Sequence, residues 1–152
     1  MAAARAEIIE RMVAACLRSG RAADAAELVA ISKTVPVERL RLAQAAGHAT
    51  LGENRVQVAE PKIREASDLA GKVSWHMIGH LQRNKARRAV ERFDVMGAID
   101  GLRLARRLSE LGTERGRPVP LLVEVKTSGE QAKGGFPPDE AEEALAEIRE
   151  LP

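Results

Sequence analysis

Tyrosine is missing from the 152 residues, and the aromatic complement is Trp75, Phe93 and Phe136. Proteins that grip single-stranded nucleic acid stack its bases on aromatic rings, so a chain this poor in them lacks such a platform. Cysteine is almost missing: Cys16 alone excludes a disulfide within the chain and suits a reducing compartment. Long apolar runs are missing too, since no window approaches the roughly 18 residues of a membrane span. The N-terminal stretch carries Arg5, Glu7, Glu10 and Arg11 where a signal peptide needs an uncharged apolar core. A cytoplasmic protein without membrane contact is expected. Charge of one sign is also lacking in excess: 24 Lys and Arg against 22 Asp and Glu leave a net +2, a mixed surface rather than a polyelectrolyte. Basic residues do cluster at Arg83, Lys85, Arg87 and Arg88 and again at Arg103, Arg106 and Arg107. With so few aromatics beside them, no nucleic-acid partner is expected.

What is present is a repeating pattern. Ala3 to Arg18 carries Ile8, Ile9, Met12, Val13, Cys16 and Leu17 at three- and four-residue spacing, one face of an amphipathic helix that Gly20 ends. Leu28 to Thr34 is a short apolar run ending in Lys33, which reads as a parallel strand buried on both faces. Pro36 fits a first helical position and Gly47 a left-handed cap for the helix between them. Strand then alternates with helix: Ala49 to Leu51 before a stripe of Val56, Ala59 and Ile63; Val73 to Ile78 before a basic helix from Gln82 to Arg92; Phe93 to Ile99, interrupted by Gly97, before Leu102, Leu104, Ala105 and Leu108; Leu121 to Val125 before a helix introduced by Pro137 and Pro138. Strict alternation implies a parallel sheet with right-handed crossovers. The expected fold is α/β: an N-terminal helix, then about five parallel strands alternating with helices, in one domain over residues 1–152. A complete eight-unit barrel needs about 200 or more residues, so the barrel expected here is incomplete.

Parallel sheets and barrels bind ligands outside the carboxyl ends of their strands. Each strand here ends in polar or small residues: Lys33; Glu53 and Asn54; His76 and His80; Asp100; Lys126, Thr127 and Ser128. A strand-end lysine alone is most simply a solvated charge, Asn54 and Asp100 suit N-caps of the helices that follow, and His76 suits a hydrogen-bonded core position. His76 and His80 lie on a strand and turn, where four residues span roughly 13 Å, and no carboxylate stands at matching spacing, so no metal is expected. The Gly129–Phe136 loop could cradle a phosphate with backbone N–H groups, yet it lacks the Lys-Ser/Thr of a P-loop, and no G-x-S-x-G elbow exists. A lysine at the centre of such a rim, desolvated, attacks carbonyls, whether of a substrate aldehyde or of pyridoxal phosphate.

Ala30-Ile31-Ser32-Lys33-Thr34, Gly52-Glu53-Asn54 with Val56-Gln57, Trp75-His76-Met77-Ile78-Gly79-His80-Leu81-Gln82-Arg83-Asn84-Lys85, and Ile99-Asp100 together resemble, in order and spacing, the pyridoxal-phosphate homeostasis proteins, which share the alanine racemase N-terminal barrel, a (β/α)8 TIM-type fold. The resemblance implies that Lys33 holds pyridoxal 5'-phosphate as an aldimine, with Asn54 and His76 beside the cofactor ring, in a protein that balances intracellular cofactor without robust turnover and with no catalytic residue to name. Ser128, Glu130 and Lys133 match the family's segment after the fifth strand, where Lys126 replaces the usual asparagine. Family members continue through three further strands that carry the main phosphate anchor. The resemblance therefore implies weak, reversible binding in a chain truncated at Pro152, together with open strand edges suited to self-association. Two alternatives stand beside it: a racemase-like enzyme, for which the chain lacks a tyrosine as the second acid/base, and a non-catalytic self-associating half-barrel.

Overall fold

The computed structural model describes residues 1–128 and 134–152. Helix α1 (Ala2–Arg18) precedes strand β1 (Ala30–Ile31), and the chain then alternates through α2 (Val37–Ala45), β2 (Thr50–Glu53), α3 (Val56–Glu65), β3 (Ser74–Met77), a 3-10 turn (Arg83–Lys85) running into α4 (Ala86–Val90), β4 (Val95–Ile99), α5 (Leu102–Glu114), β5 (Leu121–Val123) and α6 (Pro138–Arg149). The five strands form one parallel sheet in the order β1-β2-β3-β4-β5, as the alternation requires. No helix is long and apolar enough to cross a membrane among the described residues.

The core lies between the sheet and its helices. Leu51 on β2, Trp75 and Met77 on β3, and Met96 and Ile99 on β4 pack against Leu40 of α2, Val56 and Ala59 of α3 and Leu104, Leu108 and Leu111 of α5. The opposite face of the sheet is exposed at its outer strands, where Ile31 is 52% and Leu122 60% exposed, while Thr50 and His76 nearer the middle are buried. The first strand is thus partly buried, through Ala30 on its helix side alone, and it is shorter than the apolar run suggested, because only Ala30 and Ile31 pair with β2 in the ladder.

Helix ends follow local chemistry. After α2, Gly47 adopts φ +90, its N–H donates to Gln44 and that of His48 to Ala43, the paired bonds of a Schellman cap. Pro36 is the N-cap rather than the first helical residue. The basic Gln82–Arg92 stretch divides into a 3-10 turn and a five-residue helix instead of one helix. In β4 the irregularity falls at Ala98, with φ +57, rather than at Gly97. Strand period is two, so Met96 and Ile99 would face opposite sides of a regular strand; the bulge between them lets both reach full burial against the helices. Cys16 is a buried core thiol.

Candidate functional site

Main-chain hydrogen bonding carries β1 one residue past Ile31: the Ser32 N–H donates to the Gly52 carbonyl at 2.9 Å, and the Val35 N–H returns to the Ser32 carbonyl at 2.9 Å. Lys33 therefore occupies the first corner of a four-residue turn, Ser32 to Val35, immediately beyond the strand end. Ile31 is exposed, Ser32 buried and Lys33 exposed; the Ser32 hydroxyl faces Glu53, while Lys33 is open to solvent.

Register aligns the other candidates. Ile31, Gly52 and His76 form one row across β1, β2 and β3; His76 is 9% exposed. A Cβ at Gly52 would lie 3.1 Å from Ile78 and 3.2 Å from Ile31 and Val29, which puts those side chains on the same face, packed over Gly52. Lys33 and Asn54 follow this row by two positions at the carboxyl ends of their strands. Lys33, Asn54 and His76 thus lie at or near the carboxyl ends of three adjacent strands, along one rim of the sheet. Asn54 is not the N-cap of α3; Arg55 is, with no side-chain cap bond. Instead Asn54 is held by the next loop, where a Cβ at Gly79 would collide with its carbonyl oxygen. Asn54 also lines a cavity of about 580 Å³, with Gly79, His80, Gln82 and Lys85, between the β2–α3 and β3–α4 connections; neither Lys33 nor His76 lines it.

Asp100 is not a cap either. Gly101 holds that position for α5, and Asp100 pairs with His80 Nδ1 at 2.8 Å. Among the described residues no group of three His, Cys, Asp or Glu could hold a metal ion. Past β5 the chain folds back: Lys126 N–H donates to the Phe136 carbonyl at 2.8 Å and Phe136 N–H to Glu124 at 2.7 Å, with Gly134 lying against Asp100. Ser128 is exposed, while Glu130 and Lys133 lie outside the described residues.

Beneath Lys33 lies a cluster that strand-end inspection misses. Glu53 is 0% exposed and takes a hydrogen bond at 2.6 Å from Lys62 of α3, whose side chain is 12% exposed. Lys62 donates also to the Ser32 carbonyl at 2.6 Å. The Ser32 hydroxyl lies 2.8 Å from Glu53 Oε1 and 3.1 Å from the Gly52 carbonyl, and its single proton serves one of them at a time. Removing one member of a buried pair costs about 3–5 kcal/mol because the other charge is stranded. A signal for Lys62 existed in the sequence: it falls three residues after Ala59 on the apolar stripe of α3, and a cation on a core-facing stripe needs a partner.

A parallel half-barrel with an exposed lysine at its first strand end defines the class. The chain belongs to the alanine racemase N-terminal domain family, matched over residues 13–152. The pyridoxal phosphate homeostasis protein of Escherichia coli (strain K12) is 37% identical over 148 residues, covering 97% of this chain and 63% of that protein. PipY of Synechococcus elongatus PCC7942 superposes with a TM-score of 0.79 and 40% identity in its structure without PLP, and 0.77 and 39% in its structure with PLP bound. These alignments cover 95% of this chain and 66% and 65% of PipY respectively. The chain thus spans less than two thirds of the length of its relatives.

Proposed function

We propose that this chain binds pyridoxal 5'-phosphate at Lys33 and serves intracellular homeostasis of that cofactor. The observation that carries the proposal is the contrast between two lysines at one strand end. Lys62 is committed to Glu53 and the Ser32 carbonyl, whereas Lys33 is exposed just beyond the strand end and, among the described residues, enters no salt bridge. When bound, the cofactor supplies an aldehyde that a primary amine captures reversibly. The donor set fits it: Lys33 offers the amine, Asn54 an amide and His76 an imidazole along the same rim. Asn54 and His76 would orient the bound ring. Family membership, the name of the E. coli relative and the PLP-bound form of PipY lend further support.

Borohydride treatment after incubation with pyridoxal phosphate should fix one adduct on Lys33, located by peptide mass spectrometry and absent from Lys33→Ala. Equal labelling of the variant, or none at Lys33 in the wild type, would refute the assignment. A cytoplasmic setting agrees with the single reduced, buried Cys16. Basic side chains of α4 and α5 are paired with carboxylates, Arg87 with Glu114, Arg88 with Glu60 and Arg106 with Glu147, which favours inter-element clamping over nucleic-acid contact. The exposed apolar side chains and the outer edges of β1 and β5 make self-association part of the same proposal.

A further inference from the structure

The cluster under β1 bears on how Lys33 is presented. Its turn starts at the Ser32 carbonyl, which accepts two hydrogen bonds: one from the Val35 N–H at 2.9 Å, closing the turn, and one from the Lys62 ammonium at 2.6 Å. Lys62 arrives from α3, thirty residues away in sequence, and is held in place by the carboxylate of Glu53, which has no access to solvent. Glu53 in turn ends β2, the strand neighbouring β1. The turn that carries Lys33 is therefore tied at its first carbonyl to the helix layer and to the next strand. A charge-assisted bond of this kind is stronger than a neutral one. Glu53 Oε2 is buried with no partner among the described residues, so Lys62 is also the principal compensation for that carboxylate.

We propose that Lys62, anchored by Glu53, is a positioning residue for Lys33: by locking the Ser32 carbonyl it holds the turn so that the Lys33 amine is presented at the rim. This rests on the assignment of Lys33 as the cofactor lysine. A reacting group misplaced by a fraction of an ångström loses much of its advantage, so loosening the turn should weaken capture even though Lys62 touches no ligand.

The test uses the whole chain. The double variant Glu53→Gln/Lys62→Met removes both charges and avoids a stranded one; Glu53→Gln alone, which preserves shape, is the second variant should the double one not fold. Two readouts are taken: amide hydrogen exchange of Val35, referenced to Met96, whose N–H donates to Pro120 on the far side of the sheet, and the pyridoxal phosphate concentration giving half-maximal borohydride adduct on Lys33. We expect Val35 exchange to accelerate about tenfold more than Met96 exchange, with the half-maximal concentration rising about tenfold, as positional loss implies. Equal acceleration of the two amides, as a purely global loss of stability gives, would overturn the proposal. Faster Val35 exchange with unchanged capture would overturn it too, leaving the clamp merely structural, as would no change in either. Should wild-type Lys33 form no adduct, the cofactor assignment fails; the exchange readout then still decides whether Lys62 clamps the turn.

Discussion

At the scale of single residues, the rim is assembled by close approaches that tolerate little change. Gly79 is the clearest case, because the β3–α4 loop crosses so near Asn54 that any Cβ would meet its carbonyl oxygen. Gly79→Ala should cost about 1–3 kcal/mol, the range for inserting volume into a packed site, measured by urea denaturation, and should displace Asn54. Lys33 could be singled out from the sequence because a single cation ends an apolar run; that it stays open to solvent while Ser32 turns inward to Glu53 is seen only in the structure. Asn54 and Asp100, both of them residue types suited to capping, illustrate the opposite. Capping propensity is local, but Asp100 finds His80 across the rim and the helix begins one residue later without it.

At the scale of elements, helix-to-helix contacts are organised by charge as well as by apolar stripes. Glu60 on α3 takes a hydrogen bond from Arg88 of α4 and lies 3.7 Å from Arg92 and 3.6 Å from Arg64. The Arg88 bond, aided by the surrounding guanidinium charge, holds the Glu60 carboxyl below its ordinary value of 4.5. A lowered folded-state value means that this contribution to stability is complete above the ordinary value and is lost as pH falls through the lowered one. Glu60→Gln should therefore flatten the acid limb of a stability-against-pH profile while changing its slope little near neutrality, as followed by thermal melts from pH 3 to 7. Strand and helix periodicities announced most elements, but not the bulge at Ala98. Nothing local asks alanine for a positive φ; the demand comes from seating both Met96 and Ile99 against the helices.

At the scale of the whole molecule, the sheet buries one face against the helices and exposes the other at its outer strands. Among the described strands β1 has one neighbour, β2, and β5 one neighbour, β4, and the exposed face carries Ile31 and Leu122. Exposed apolar surface beside unpaired edges drives association. Sedimentation velocity should show mass rising with concentration, and Ile31→Ser/Leu122→Ser should shift the distribution towards monomer; a monomer at all concentrations would remove self-association from the proposed function.

The sequence by itself determined the alternation of strand and helix, the parallel sheet, the strand end at which Lys33 stands and the poverty of aromatics and cysteine, because period and composition are local properties of the chain. Only the tertiary structure decided that Glu53, Lys62 and the Ser32 carbonyl meet under that lysine, and that His80 meets Asp100. These contacts join residues 9, 30 and 20 positions apart, and a polar side chain taken out of water selects its partner from whatever the packed elements bring within hydrogen-bond reach.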